Sequence, residues 1–218
     1  MENLVSIIIP AYNEGKFLKS VIDSLKNNKL VDEIIVVDNN STDNTSEVAK
    51  QNGAKVVFCA EVGKGYAMEK GVQVAKNEII LFADGDICNY TDDLVDIMVN
   101  PIINKECEFV KSEFSRRGGR VTEILAKPLL ELLFPDMYRF SQPLSGVIAG
   151  KKDKFENIVF EKDYGVDIGI LLDMINNNVE IKEVCIGNVE NDSQNLDSLS
   201  LMARQVSKAI FKRVQNDK

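Results

Sequence analysis

The feature that most constrains the fold is a series of short apolar runs in the first half of the chain. These runs cover residues 5–10, 33–37, 55–59 and 78–82, and amphipathic stretches at helical spacing separate them. Apolar runs without regular alternation, separated by helices, are typical of parallel strands that are covered on both faces. The sequence therefore predicts an α/β fold built on a doubly wound sheet.

The second half of the chain is less regular. Its pattern predicts strands at residues 109–114, 147–149 and 179–186 and helices at residues 121–133 and 166–175. A final helix is indicated by an apolar stripe that could serve the core or a dimer equally well, formed by Leu199, Met202, Val206, Ile210 and Val214. The length of 218 residues suits one domain, and we expect a single domain over residues 1–218.

Composition argues against several classes of protein. The net charge of -8 disfavours broad binding to nucleic acid or anionic lipid. The four cysteines form no C-x-x-C pair, so we interpret them as reduced thiols rather than zinc ligands. The N-terminus lacks the pattern of a secretory signal, and no apolar run approaches the roughly 20 residues that span a bilayer. We therefore expect a cytoplasmic protein without membrane insertion.

Polar residues follow the predicted strands of the first half, where ligands of such sheets bind. Glu14 follows the first strand, Asp38 the second and Lys64 the third, while Asp84 and Asp86 follow the fourth. Two carboxylates on a tight turn offer oxygen ligands to Mg²⁺ or Mn²⁺, which can bridge the protein to a diphosphate. An acidic triplet alone is a weak signal, because a solvated loop has the same composition.

Four segments together resemble the family 2 glycosyltransferases with a GT-A fold. They read SIIIPAYNE at residues 6–14, IIVVDNNSTD at 34–43, GKG at 63–65 and DGD at 84–86. The resemblance implies a mixed, mostly parallel sheet flanked by helices, and a nucleotide-sugar donor bound with Mg²⁺ or Mn²⁺. The residues it implies for donor binding in this half are Pro10, Ala11, Tyr12, Glu14, Asp38, Lys64, Asp84 and Gly85. The ordinary alternatives are a helix N-terminal acid for Glu14 and a surface cation for Lys64.

Motifs in the second half resemble the glucosyl-3-phosphoglycerate synthases. They read RGGRVTE at residues 117–123, QPLSG at 142–146, YGVDIG at 164–169, LDSL at 196–199 and MARQV at 202–206. The resemblance implies a sugar pocket lined by Leu144, Ser145 and Gly146, and a phosphoglycerate cradle formed by Gly119, Arg120, Val121 and Thr122. Exposed glycine N–H groups and an arginine fork suit an anion, although a helix cap with a surface arginine has the same sequence.

Two positions depart from the pattern of this family. Its members carry a glutamate where this chain has Asp167, which we expect to act near the reacting sugar unless it is only a helix N-terminal acid. They also carry a metal-binding histidine, whereas this chain has no histidine and matches that position with Asn191. We expect Asp84, Asp86 and Asn191 to ligate the metal, with Asp86 and Asp167 catalytic. Two further acids could instead act as an inverting base, namely Glu161 and Asp163.

The resemblance thus predicts a retaining, metal-dependent hexosyltransferase that moves glucose from UDP- or GDP-glucose to 3-phosphoglycerate. Residues 1–90 would form the nucleotide-sugar half and residues 91–218 the acceptor half of one GT-A domain. The expected partners are these two substrates and a second copy in a homodimer. Two alternatives stay open: an inverting family 2 transferase acting on a lipid phosphate or glycan, and a non-catalytic nucleotide-sugar-binding module.

Overall fold

The computed structural model of the protein describes residues 4–115, 120–135, 139–190 and 195–216. Its strands are β1 (Val5–Ala11), β2 (Val31–Asp38), β3 (Lys55–Phe58), β4 (Ile79–Phe82), β5 (Phe109–Ser115), β6 (Ile148–Lys151) and β7 (Ile181–Asn188). Its α-helices are α1 (Leu18–Leu25), α2 (Thr45–Gln51), α3 (Lys64–Val74), α4 (Leu94–Ile103), α5 (Lys127–Leu133), α6 (Lys152–Glu156), α7 (Val166–Asn176) and α8 (Leu196–Asn216). A π-helical turn (Thr122–Ala126) leads into α5.

Across the described residues, seven strands form one sheet in the order β3-β2-β1-β4-β6-β5-β7. The pairs β1–β2, β1–β4, β2–β3 and β5–β7 are parallel, and β6 is antiparallel to both of its neighbours. The predicted mixed, mostly parallel sheet is therefore confirmed. Because β1 to β4 run in the same direction, their carboxyl ends meet at one edge of the sheet.

Strand β1 is apolar except for Ser6, because both of its faces are buried. Ile7 and Ile9 pack in one hydrophobic cluster with Leu18 of α1, and Ile8 packs in a second cluster with Met68 of α3. Fully burying an aliphatic side chain of this size contributes about 1.5–3 kcal/mol. Helix α3 lies so close to the strand that a Cβ atom at Gly71 would collide with Ile8. These contacts explain why the first half reads as a covered parallel sheet.

Two helical segments differ from the sequence prediction. Helix α4 was not predicted, and it carries Pro101 in its last turn, where proline ordinarily indicates the end of a helix. The segment predicted as one α-helix over residues 121–133 begins instead with the π-helical turn. Pro128 has no N–H to donate to the carbonyl of Ile124, so the α-helical hydrogen bonds are interrupted at this point.

The apolar stripe of α8 faces the core of its own chain. Val206 and Ile210 are buried in the same cluster as Leu171 of α7, so this stripe is not available as a dimer surface. All four cysteines are free thiols, with Cys59 and Cys107 buried. Over the ranges that the structure describes, no helix is both long enough and apolar enough to cross a membrane.

Candidate active site

The acidic turn after β4 is held in place by one buried tyrosine. The hydroxyl of Tyr90 accepts a hydrogen bond from the Asp84 N–H at 2.9 Å and donates to the Asp84 carbonyl at 3.3 Å. Burial raises the pKa of Tyr90 well above its ordinary value, so this hydroxyl stays protonated. Asp84 and Asp86 remain partly exposed at the end of the strand. Nothing in the spacing of the motif indicates this role of Tyr90.

The ammonium group of Lys64 bridges two carboxylates. Lys64 Nζ lies 2.9 Å from Asp84 Oδ1 and 2.9 Å from Asp167 Oδ2. Burial alone would lower the pKa of Lys64, but the charges of Asp167 and Asp84 outweigh it and raise the pKa above its usual range. Lys64 and Asp167 are both predicted site residues. They lie 103 positions apart in the sequence, and their side chains are in direct contact.

Asp167 carries a buried oxygen that can accept another hydrogen bond. Burial raises the pKa of this carboxyl, and the positive charge of Lys64 opposes that effect. In the described part of the chain, one buried side-chain polar atom has no hydrogen-bond partner, and it is Asp167 Oδ1. An unsatisfied buried acceptor of this kind costs about 1–3 kcal/mol. The cost is consistent with a site where a ligand hydroxyl donates to this oxygen.

The segment of residues 144–146 lies against the same charged group. A Cβ atom at Gly146 would collide with the carboxylate of Asp84 and the ammonium of Lys64, so a side chain there would fill the site. Ser145 is buried, and its N–H donates to the Gln142 carbonyl at 3.0 Å. Leu144 is partly buried. The structure thus places the predicted sugar-pocket residues beside the predicted donor residues.

The loop after β1 is tied to the loop after β2. The N–H of Asn13 donates to Ser41 Oγ at 3.0 Å, and the N–H of Thr42 donates to Asn13 Oδ1 at 2.8 Å. Asn13 has a positive φ of 57°, which asparagine tolerates better than most residues. In this loop and at its start, Pro10 is partly buried, Ala11 is buried and Tyr12 is half-exposed.

Asp38 is buried and organises the β2 loop itself. Its Oδ1 accepts a hydrogen bond from the Ser41 N–H at 2.9 Å, and its Oδ2 accepts one from the Ser46 hydroxyl. Each oxygen retains further acceptor capacity, since a carboxylate offers about four lone-pair sites. The predicted donor residue Asp38 therefore also has a local structural role that the sequence did not indicate.

Asn39 joins three segments of the edge. Its backbone N–H donates to the Ala11 carbonyl at 2.8 Å, and its side-chain amide donates to the Glu61 carbonyl at 2.5 Å. Its Oδ1 accepts a hydrogen bond from the Gly63 N–H at 2.7 Å. Sequence reasoning included Asn39 in a motif but assigned it no role. These contacts fix the start of α3, and hence the position of Lys64.

Tyr164 lies among several predicted site residues. Partial burial raises the pKa of its hydroxyl, Lys64 opposes that effect, and the negative charges of Asp86, Glu14 and Asp167 add to it. Glu14 is also close to the acidic turn, because a Cβ atom at Gly85 would lie 3.4 Å from its Cγ. Residues from four separate loops and helix starts therefore converge on one half-exposed aromatic ring.

The predicted acceptor residues lie at the start of the π-helical turn. Arg120 is exposed, whereas Val121 and Thr122 are buried. Val121 packs in a hydrophobic cluster, so its side chain is part of the core. Gly119 lies outside the described residues, and so does Asn191, the predicted third metal ligand. π-helical turns are frequent at functional sites.

The acidic turn suits a hard divalent cation. Mg²⁺ and Mn²⁺ take oxygen ligands, and Mg²⁺ is often held by one or two carboxylates with substrate phosphates and water completing its shell. Within the four described ranges, no group of three or more His, Cys, Asp or Glu residues gathers as a metal site. Asp84 and Asp86 therefore fit a cation whose remaining ligands come largely from a bound substrate and water.

The alternative base Glu161 is engaged elsewhere. Its Oε1 accepts hydrogen bonds from Arg213 Nη1 and Lys212 Nζ, each at 2.9 Å. Burial tends to raise the pKa of Glu161, but these two cations outweigh it and lower the pKa. Asp163 Oδ1 accepts the N–H of Gly165 at 2.9 Å. The structure does not favour Glu161 as the base of an inverting reaction, because its ion pairs hold it against α8.

Comparisons with known proteins agree with this geometry. The model of Glycosyl transferase family 2 matches residues 6–151. The glucosyl-3-phosphoglycerate synthase of Mycobacterium tuberculosis is 34% identical, with 96% of this chain and 73% of that protein covered. The corresponding protein of Petrotoga mobilis is 33% identical, with 97% and 73% covered.

Solved structures give the same result. The crystal structure of the Mycobacterium tuberculosis enzyme with Mn²⁺, UDP-glucose and phosphoglyceric acid has a TM-score of 0.93 and 35% identity, covering 98% of this chain and 80% of that one. Its complex with phosphoglyceric acid has a TM-score of 0.94, with the same identity and coverage. The chain therefore belongs to family 2 of the glycosyltransferases and shares the GT-A fold of the glucosyl-3-phosphoglycerate synthases.

Proposed function

We propose that this protein transfers glucose from UDP- or GDP-glucose to 3-phosphoglycerate, with retention and with a divalent cation. The relatives named above are glucosyl-3-phosphoglycerate synthases, and the Mycobacterium tuberculosis enzyme has been crystallised with Mn²⁺, UDP-glucose and phosphoglyceric acid. The observation in this chain that carries the proposal is the Lys64 ammonium between Asp84 and Asp167, next to a glycine whose missing side chain leaves the space open.

The donor would lie along the carboxyl edge of β1, β2 and β4. Lys64 would bind the diphosphate as a point charge. Its position is fixed because it is the first residue of α3. The uridine or guanosine end would contact the β1 and β2 loops through Pro10, Ala11, Tyr12, Glu14 and Asp38. The proposal is supported by the hydrogen bonds that already join these two loops.

The acidic turn would hold the cation. Asp84, Gly85 and Asp86 form the turn, and Asn191 is the third proposed ligand. A bound Mg²⁺ or Mn²⁺ would offset negative charge on the departing nucleoside diphosphate. Tyr90 contributes by fixing the backbone of Asp84, which pre-organises the ligand before the donor arrives.

The sugar would lie between the turn and α7. Leu144, Ser145 and Gly146 would line its pocket, and the unpartnered Oδ1 of Asp167 would accept one of its hydroxyl groups. The negative charge of Asp167 would also stabilise positive charge at the anomeric carbon in the transition state. Retention would run by front-face attack: the acceptor hydroxyl would bond to the anomeric carbon on the face from which the nucleoside diphosphate departs. A phosphate oxygen of that leaving group would take the acceptor proton.

The acceptor would bind at the start of the π-helical turn. Arg120 would bind the phosphate or carboxylate of 3-phosphoglycerate bidentately, with Gly119, Val121 and Thr122 completing the cradle. Residues 1–90 would then form the donor half of a single domain and residues 91–218 the acceptor half.

The decisive experiment measures UDP release from UDP-glucose with Mg²⁺, in the presence and absence of 3-phosphoglycerate. We expect release that depends on the acceptor and stops with excess EDTA, and a product with the α-configuration by NMR. A β-configured product would favour the inverting alternative. Donor binding without acceptor-stimulated release would favour a non-catalytic binding module.

We also propose that the protein acts in the cytoplasm as a homodimer. Free thiols at all four cysteines support a reducing compartment. Leu196, Leu201 and Phe211 of α8 remain exposed after the stripe of that helix is buried, and such residues are suited to a subunit contact. Light scattering with size-exclusion chromatography measures the mass, and a monomer at micromolar concentration would contradict the dimer.

A further inference from the structure

Strand β5 places a lysine in the interior of the protein beneath the site. Lys111 follows Phe109 and Val110, and its relative exposure is 0%. Lysine is rarely fully buried without a charged partner, because its ammonium loses hydration. Burial lowers the pKa of Lys111 to about 8, an effect that the nearby negative charge of Asp167 opposes. The core alone would be served better by an apolar residue, so the lysine requires another explanation.

The side chains of Lys111 and Ser112 both form hydrogen bonds with Ser145. Lys111 Nζ donates to the Ser145 carbonyl at 2.7 Å. The next residue of the strand, Ser112, has its hydroxyl 2.7 Å from the Ser145 hydroxyl. Two consecutive side chains of β5 therefore hold Ser145, one at its backbone carbonyl and the other at its hydroxyl. The Ser145 hydroxyl also accepts the N–H of Val147, the residue before β6, at 3.1 Å.

The position of Ser145 matters because Gly146 follows it. The Cα of Gly146 is so close to Asp84 and Lys64 that a Cβ atom would collide with both. A small movement of the backbone at Ser145 would therefore change the space beside the charged groups. Errors of about 1 Å in the placement of reacting groups can cost about 10²-fold in rate.

We infer that Lys111, together with Ser112, is a positioning residue that sets the pocket for the sugar end of the donor. It acts through Ser145, whose backbone it fixes, and it does not itself contact the substrate. The base and ribose of the donor are bound by other loops, so loss of Lys111 should weaken binding of UDP-glucose much more than binding of UDP. This inference rests on the proposed function.

The test compares binding of UDP and UDP-glucose by Lys111→Met, using calorimetry with Mg²⁺ and no acceptor. Methionine has a similar length and can replace the buried stem, but it cannot donate to the Ser145 carbonyl. We expect UDP-glucose binding to weaken about 10-fold, which is about 1.4 kcal/mol, while UDP binding stays within about twofold of the parent protein. In turnover, KM for UDP-glucose should rise while KM for 3-phosphoglycerate stays constant.

The matched control is Lys182→Met. Lys182 lies on β7, opposite Val110 of β5, and its ammonium pairs with Glu106 at the surface. This variant should bind both compounds like the parent protein. Ser112→Ala provides a second test that preserves the buried charge, and it should shift the ratio of the two affinities about threefold in the same direction.

Equal weakening of UDP and UDP-glucose in Lys111→Met would overturn the inference, because it would indicate a general structural role. If Lys111→Met does not fold, an unchanged ratio of the affinities for UDP-glucose and UDP in Ser112→Ala would overturn the inference. Failure of the proposed function is recognised separately, because the parent protein would then show no acceptor-dependent release of UDP from UDP-glucose.

Discussion

Replacing Lys64 with methionine should destabilise the protein in a way that depends on pH. Lys64 is the hydrogen-bonded cation that offsets the buried charge of Asp167, and it also pairs with Asp84. The variant keeps the volume of the side chain but leaves Asp167 ionised without this partner. Its buried carboxyl must then remain charged at a cost or take up a proton.

The magnitude follows from the burial of the three groups. Removing one partner of a buried ion pair costs about 3–5 kcal/mol. The Asp84 side chain is 24% exposed, so solvent screens its attraction to Lys64. We therefore expect the free energy of unfolding to fall by an amount near the lower end of this range, about 3 kcal/mol at pH 8. Burial already raises the pKa of Asp167, and loss of Lys64 raises it further.

The sign of the pH dependence follows from proton uptake. An aspartate in the unfolded chain has a pKa of about 3.9 and is ionised at both pH 8 and pH 5. The folded variant binds a proton at Asp167 as pH falls through its raised pKa, and the unfolded chain does not. Folding of the variant is therefore favoured at lower pH, and the loss should be smaller at pH 5 than at pH 8.

Urea unfolding of the parent and variant proteins at the two pH values measures this loss. Lys19→Met is a suitable control, because Lys19 is 67% exposed and pairs with Asp23 one helical turn away, so its loss should be below about 0.5 kcal/mol. Adding Asp167→Asn to Lys64→Met should restore most of the stability at pH 8. An equal loss at both pH values, or no loss, would refute the assignment of Asp167 as a buried anion held by Lys64.

Three further predictions concern the acidic turn and the residues around it. Asp86→Ala should abolish turnover and leave the unfolding transition unchanged, and excess EDTA should have the same effect on the parent enzyme until Mg²⁺ is added; full activity in either case would contradict the metal role. Gly146→Ala should reduce kcat/KM at least about 100-fold, because its Cβ would displace Asp84 and Lys64, and a near-normal value would show that this backbone can move away. Tyr90→Phe should lower the free energy of unfolding by about 1–3 kcal/mol and raise the Mg²⁺ concentration needed for half-maximal rate, and unchanged metal titration would show that the tyrosine has only a packing role.

The sheet and the edge of the site could be predicted because each depends on local sequence. The apolar run of β1, which only Ser6 interrupts, predicts a strand covered on both faces, and the structure confirms it. Parallel strands bring their carboxyl ends together, so Asp38 and Asp84 had to lie at one edge once the strands were assigned. Helix α4 carries an equally local signal, because Leu94, Met98 and Ile102 recur at helical spacing, but Pro101 weakens the helical pattern at its end.

The interior of the site could not be predicted, because it depends on contacts between distant segments. Lys64 and Asp167 are separated by 103 positions, and no periodicity records their contact. In the sequence, Tyr90 is an ordinary aromatic residue after a turn. Its role appears only in the structure, where its hydroxyl accepts a hydrogen bond from the Asp84 N–H. Lys111 also gives no clear signal, because Ser112 and Glu113 follow it in β5, and its burial becomes evident only in the folded chain.

The charges of the site give a physical reason for its expected dependence on a divalent cation. The two lysines Lys64 and Lys111 lie near Asp84 and Asp167, and Asp86 lies on the same turn as Asp84. With all five groups ionised, these residues carry a net negative charge. The protein as a whole is also acidic, with a net charge of -8. A diphosphate would be repelled by this group unless two further positive charges accompany it, which Mg²⁺ or Mn²⁺ supplies. EDTA should therefore weaken UDP binding itself and not only turnover, and metal-independent UDP binding would show that cations from elsewhere in the chain neutralise the diphosphate.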